Sequence, residues 1–242
     1  MIFNLILMSF IVGSIGTGVG AVLALPMKAK NDGRFLYGFS SGFMLLIVMF
    51  DLIPSAVEIS DMFITLAGIT LGAAFVLIFH RILHKVYIGK NKSKIKETGL
   101  LLFVAIALHN FPEGVAIGAG FGLELSFAIF ISVVMAAHNI PEGMAMGISL
   151  YSAGEKRSRV ILYGLIAGVP ICIGALVGNF VAHIGNNFIG AGLGFASGAM
   201  LYVCLSELIP YGKSQSGKKF YISFAIGLLI GQIVLILCRN LI

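Results

Sequence analysis

The feature that most restricts this chain is a recurring apolar run of about 20 residues, the length at which an α-helix rising 1.5 Å per residue crosses roughly 30 Å of hydrocarbon. Eight such runs follow one another, near residues 2–25, 35–54, 63–83, 98–120, 125–149, 160–182, 188–210 and 220–238. They predict an all-α membrane protein with eight transmembrane helices, forming one transmembrane domain over residues 1–242. Charged residues make up only 11% of the chain and its mean hydropathy is +1.04. A soluble domain carries about a quarter charged residues, so water is not the main solvent here. The 31 glycines suit that reading, because small residues let membrane helices approach where no hydrophobic effect draws them together. The chain has no tryptophan, so an interfacial aromatic belt falls to residues such as Tyr37, Tyr87, Tyr151, Tyr211 and Tyr221 near the predicted helix ends.

A net charge of +6 could point to nucleic acid, but the basic residues are scattered through short connections and instead report topology. Connections 26–34, 84–97, 150–159 and 211–219, with Arg81, hold all of the 16 Lys and Arg except Arg239. The alternate connections, around Glu58 and Asp61, Glu124 and His183, hold none. By the positive-inside rule the basic set is cytoplasmic and both termini are extracellular or periplasmic. The connection near 84–97, with Lys90, Lys92, Lys94 and Lys96, reads as a solvated cytoplasmic loop. The three cysteines, Cys172, Cys204 and Cys238, are too far apart for a CxxC metal pair and form no disulfide framework. The first run lacks a basic n-region and is too long for a cleaved signal, despite Val22-Leu23-Ala24.

Two segments occur twice. Ala107–Gly120, ALHNFPEGVAIGAG, aligns without a gap on Ala136–Ser149, AAHNIPEGMAMGIS, and Ser41–Pro54 aligns on Ser197–Pro210, both stretches ending in Leu-Ile-Pro. Runs four and five cross in opposite directions, as do runs two and seven, so the repeats are inverted. Three runs flank the central pair on each side, a 3+2+3 arrangement. Inverted repeats of this kind build many secondary transporters, whose substrate sites lie near mid-membrane where the repeats meet.

The repeats coincide with the chain's polar motifs. His109, Asn110 and Glu113 lie near the middle of run four, and His138, Asn139 and Glu142 near the middle of run five. An ionisable group at that depth costs a few kcal/mol unless it faces a polar pathway or a partner, and a bound dication would be such a partner. At about 100° per residue, a glutamate four positions after a histidine lies only about 40° around the axis from it. Two such helices face to face offer His109, Glu113, His138 and Glu142 to one ion, and two nitrogens with two oxygens suit tetrahedral Zn²⁺ and are acceptable to Fe²⁺, Mn²⁺ or Cd²⁺. Pro112 and Pro141 remove a helical hydrogen bond and free the carbonyls of Leu108 and Ala137, so kinks are expected there.

Through HNFPEG at His109–Gly114 and HNIPEG at His138–Gly143 the sequence resembles the ZIP family of metal transporters, the Zrt/Irt-like proteins. The resemblance covers essentially the whole chain, from the eight helices and outward termini to the related runs two and seven. It implies metal liganding by His109, Asn110, Glu113, His138, Asn139 and Glu142, import toward the cytoplasm of the cell, a homodimer, and helices one, four, five and six sliding as a block against the rest. Many relatives carry a Glu-Pro pair in the sixth helix; aligned on Gly174-Ala175, this chain has Ile171 and Cys172 there, which removes a carboxylate from a second ion position.

Asp51 and Glu207 are equivalent positions of the second repeat. Asp51 is a pathway candidate at the outer mouth, and Glu207, with Ser206, one at the inner exit, because carboxylates concentrate cations in a narrow mouth. His80 and His84 have the spacing of a helical pair near the cytoplasmic face, where a solvated helix end is the plainer reading. Two functions compete. An intramembrane zinc hydrolase would also use histidines and a glutamate on a metal with an open position. Hydrolysis, however, needs unlike groups in unlike roles, and here two helices supply the same residues twice. The expectation is therefore a multi-pass cell-membrane transporter, not an enzyme, with Zn²⁺ or another dication as its cargo, no catalytic cofactor, the lipid bilayer as its surroundings and no nucleic-acid partner.

Overall fold

A computed structural model of the chain describes residues 2–27, 34–88, 94–123, 125–181, 185–215 and 217–240. Among these residues eight helices are long and apolar enough to cross a membrane. They are α1 (Ile2–Ala24), α2 (Phe35–Ile59), α3 (Met62–Ile88), α4 (Lys94–Leu123), α5 (Leu125–Ser152), α6 (Arg157–Val181), α7 (Asn186–Ser214) and α8 (Gly217–Asn240). Of the lysine run, Lys90 and Lys92 lie outside the described residues, as do the side chains of Lys94, Lys96 and His84, and all of His183. The long polar connection is shorter than the sequence suggested, because α3 continues to Ile88 and α4 begins at Lys94.

The second and seventh helices also outrun their apolar stretches, each by passing through a widened π turn. The turns are Val48–Leu52 and Cys204–Leu208, matching positions of the repeat that carry Asp51 and Glu207. A shared cause follows two residues later, at Pro54 and Pro210. A proline ring crowds the carbonyl four residues back and offers no N–H, and an inserted π turn relieves the clash without ending the helix. Pro112 and Pro141 lie inside their helices, and both α4 and α5 stay helical through them. At the start of α3, Asp61 Oδ1 accepts the Ile64 amide at 2.9 Å, capping the free end of the helix.

The helices pack in two sets. In one, α4 lies along α6 and α5, and α1 closes the ring by lying along both α5 and α6. In the other, α2 lies along α8, α3 along α7, and the Ile53–Ile59 end of α2 against α7. Glycines set the spacing inside each set. A Cβ on Gly118 of α4 would come within 2.7 Å of the Ala175 carbonyl carbon and the Asn179 amide nitrogen of α6, and one on Gly68 of α3 within 2.5 Å of the Ala191 carbonyl oxygen of α7. Such backbone-to-backbone approaches give the van der Waals contact that holds helices together in lipid. Where α7 meets α4 across the boundary the fit is looser. Gly192 of α7 faces Val115 of α4, and a Cβ there would sit at an ordinary 3.6 Å. Beside this contact an apolar crevice of about 920 Å³ opens between the sets, lined by Phe63 and Phe75 of α3, Phe111 of α4 and Phe195 of α7.

The aromatic belt needs a correction at Tyr37. Its side chain is 2% exposed, packed inside the bundle rather than at a lipid interface, because its hydroxyl finds partners on α5. Tyr221 is exposed as expected.

Candidate metal centre

The four-helix ring of α1, α4, α5 and α6 encloses the polar residues the sequence singled out. His109, Asn110 and Glu113 come from α4 and His138, Asn139 and Glu142 from α5, and every one is buried, with at most 2% of its surface exposed. The four-residue spacing puts His109 Nε2 4.0 Å from Glu113 Oε1 on the same helix. The closer contacts run between helices. His109 Nε2 lies 3.0 Å from Glu142 Oε2, and His138 Nε2 lies 3.1 Å from Glu113 Oε1. The repeat exchanges His109 with His138 and Glu113 with Glu142, so it carries one cross-helix pair onto the other.

The asparagines obey the same exchange. Asn110 Nδ2 donates to the Ala167 carbonyl of α6 at 2.8 Å, and Asn139 Nδ2 donates to the Val12 carbonyl of α1 at 3.1 Å. Each amide thereby ties its helix to a neighbour in the ring. The Val12 carbonyl stands at a π turn, Ile11–Ile15, which gives α1 an irregular backbone where it faces Asn139.

Pairing leaves oxygens over. Glu113 Oε2, Glu142 Oε1, Asn110 Oδ1 and Asn139 Oδ1 are buried and meet no hydrogen-bond donor. A polar atom taken out of water without a partner costs on the order of 1–3 kcal/mol, more where it carries charge. Four of them in one core mark a place built to receive something electropositive. The His and Glu side chains are closed on each other rather than aimed at one point, and among the described residues no three His, Cys, Asp or Glu side chains form a ready cage. A cation would have to open both pairs and recruit the spare oxygens. The donors fit Zn²⁺, which takes imidazole nitrogen and carboxylate oxygen at close to 2 Å.

The sixth helix contributes bulk instead of charge. Ile171 is fully buried, and its backbone lies against Gly114, the residue after Glu113. Aliphatic packing thus occupies the position where the resemblance placed a carboxylate in relatives.

The pathway candidates separate from this centre. Asp51 is buried, at 3% exposure, inside the π turn of α2. Glu207 Oε1 lies 3.0 Å from His80 Nδ1, and the Tyr202 hydroxyl lies 3.1 Å from the same nitrogen. His80 thus contacts α7, a partner that no local pattern could reveal, while its spacing to His84 falls on a side chain outside the described residues. Ser206 is exposed. A space of about 20 Å³ touches His80, Glu207 and Leu108, the residue before His109, large enough for about one water.

A sequence profile for the ZIP zinc transporter family matches residues 84–239, which include both His-Asn-x-Pro-Glu-Gly motifs. The chain belongs to this family. Among curated proteins, the zinc transporter ZupT of Streptococcus mutans serotype c is 32% identical, covering 92% of this chain and 93% of its own length. ZupT of Chlorobium phaeovibrioides is 30% identical over 98% and 97% of the two chains. The zinc transporter GufA of Myxococcus xanthus is 37% identical over 60% of this chain. This ZIP chain is thus a multi-pass membrane transporter of metal ions and not a hydrolase, and the duplicated His-Glu pairs agree, since they offer no unlike acid and base.

Proposed function

We propose that this ZIP protein carries divalent metal ions, zinc foremost, through the cell membrane into the cytoplasm by alternating access. The observation that carries the reading is the pair of cross-helix His–Glu contacts with their spare buried oxygens, at the centre of a ring of four helices. The cation loses its water on His109, Glu113, His138 and Glu142, with Asn110 and Asn139 turning their oxygens to it. Two carboxylates balance the charge of one dication and neutral imidazoles complete the set, so metal binding displaces protons from these groups. Asp51, buried in the π turn of α2, takes up a cation on its way in from the outer side rather than at an open mouth, and Glu207, with Ser206 beside it, receives it at the inner exit.

Movement in this reading is a slide of α1, α4, α5 and α6 against α2, α3, α7 and α8. Glycine contacts lock each set internally and a looser boundary with an apolar crevice parts them, a combination that favours rigid sliding over bending of single helices. The chain acts as one transmembrane domain in a 3+2+3 inverted repeat, with both termini outside, and it works as a homodimer in the membrane.

Radiolabelled zinc uptake into proteoliposomes, with iron, manganese, cadmium, magnesium and calcium as competitors, tests cargo and preference together. Zinc is expected to accumulate and cadmium to compete, while magnesium and calcium do neither. An absence of uptake of every dication rejects the reading. Orientation has its own check. Cysteine placed at Asp61 should react with an impermeant maleimide in intact cells and cysteine at Lys156 only after permeabilisation, and the reverse pattern overturns the topology.

A further inference from the structure

Three hydrogen bonds pass directly from α2 to α5, across the boundary between the two helix sets. Ser40 Oγ donates to the Pro141 carbonyl at 3.0 Å. The Tyr37 hydroxyl donates to the Ala145 carbonyl at 3.3 Å and accepts from the Ser149 hydroxyl. Pro141 immediately precedes Glu142, so this contact grips the moving set next to the cation site.

The donors are fixed to their own set. The Tyr37 ring meets the Tyr211 ring of α7 edge-on, with centroids 4.8 Å apart and planes at 69°. Gly212 leaves so little room that an added Cβ would lie 3.1 Å from Tyr37 Cβ. Tyr37, Ser40 and Ser149 are each at most 2% exposed, so no water competes for their hydroxyls. Buried within a membrane protein, a hydroxyl without an acceptor is costly, and these groups favour positions where a carbonyl stands opposite.

The acceptors form a ladder. Residues 137, 141, 145 and 149 of α5 follow at four-residue steps, each about 6 Å along the axis and about 40° around it. Later residues of α2 face earlier residues of α5, so the two helices run antiparallel. A slide of α5 by one step along its own N-to-C direction brings the Ala137 carbonyl opposite Ser40 and the Pro141 carbonyl opposite Tyr37. Ala137 is ready for this, because Pro141 has no N–H to bond it. Between the two registers the hydroxyls face no carbonyl.

We propose that Tyr37 and Ser40 are positioning residues for transport, two hydroxyls of the stationary set that hold the moving set in registers one helical turn apart by bonding the carbonyl row of α5. The proposal rests on the sliding mechanism above. Shifts of one element past another by a single turn are an established way for packed helices to switch between discrete states. The hydroxyls stabilise both registers relative to the passage between them, so they set the barrier to movement without touching the cation.

The experiment measures zinc uptake in proteoliposomes with Tyr37→Phe/Ser40→Ala, a pair that keeps the ring against Tyr211. The maximal rate should rise about three- to tenfold, the scale of losing one or two interhelical hydrogen bonds from a barrier. The half-saturating zinc concentration and zinc binding to the detergent-solubilised protein should stay at parental values. A maximal rate that is unchanged or lower, or a shift in zinc binding, overturns the proposal. Should the double variant fail to fold, Ser149→Ala removes the Tyr37 partner from the moving side and must raise the rate likewise. Combined with Tyr37→Phe alone it must give less than the sum of the separate effects, and full additivity counts against a shared bond. Glu142→Ala, run in parallel, separates the two failures: parental uptake in that variant removes the site reading, whereas its inactivity beside parental rates in the hydroxyl variants removes only the positioning role.

Discussion

Vesicles bearing Glu142→Ala, or Glu113→Ala, are expected to take up no zinc above protein-free background, while the purified variants keep the parental elution volume and helical content. Each substitution removes one of only two carboxylates in the central cluster. One dication would then face a single negative charge in a medium where solvation cannot make up the difference, at a cost of several kcal/mol. At 1.36 kcal/mol per tenfold in rate, that is a loss of about a thousandfold or more. Folding is spared for a physical reason. The partner histidine left behind can be neutral, and removing a carboxylate that has one oxygen already unsatisfied relieves a buried cost. Parental uptake by either variant would reject the cluster as the transport site.

The second large effect concerns stability. Gly118→Leu should abolish recovery of monodisperse protein, because its Cβ alone would be driven into the backbone of α6 at Ala175 and Asn179. Overpacking a side-chain contact costs about 1–3 kcal/mol. A backbone neighbour cannot rotate away, so separating two whole helices costs more, enough to exhaust a marginal stability. Gly192→Ala is the matched comparison, since its added carbon meets Val115 at 3.6 Å. It should fold like the parent, with a melting temperature in detergent unchanged or slightly higher. Equal damage from both would mean that the boundary between the sets is as tightly locked as their interiors, and the sliding reading would fail.

The His-Asn-x-Pro-Glu-Gly repeats were legible because their chemistry is local. Four-residue spacing places each histidine and glutamate on one helical face whatever the tertiary fold, and ionisable groups at mid-membrane depth need a partner or a polar path wherever the helices pack. The crosswise choice of partners, His109 with Glu142 rather than Glu113, depends on how close α4 and α5 stand, and no spacing within one helix encodes that. His80 shows the same limit, since its attraction to Glu207 arises from α3 lying along α7. Tyr37 misled for a different reason. A tyrosine at a helix end looks alike whether lipid headgroups or another helix lies beside it, and only the neighbouring α5 decides. The prolines divided by context as well: Pro54 and Pro210 follow widened turns, whereas Pro112 and Pro141 sit in helices that continue unbroken.

The crosswise closure of the central histidines and glutamates has a bearing on discrimination. Any incoming ion competes with ligands that already hold one another, so its affinity is reckoned against those internal contacts and not against open oxygens. Magnesium and calcium prefer oxygen donors and give up hydration water reluctantly or bind imidazole poorly, leaving them little with which to prise the histidines loose. A borderline-soft ion that bonds nitrogen strongly does so with a surplus. The protein's own acid–base partners thereby act as a built-in rival that hard cations lose to, a filter obtained without any narrowing of the path.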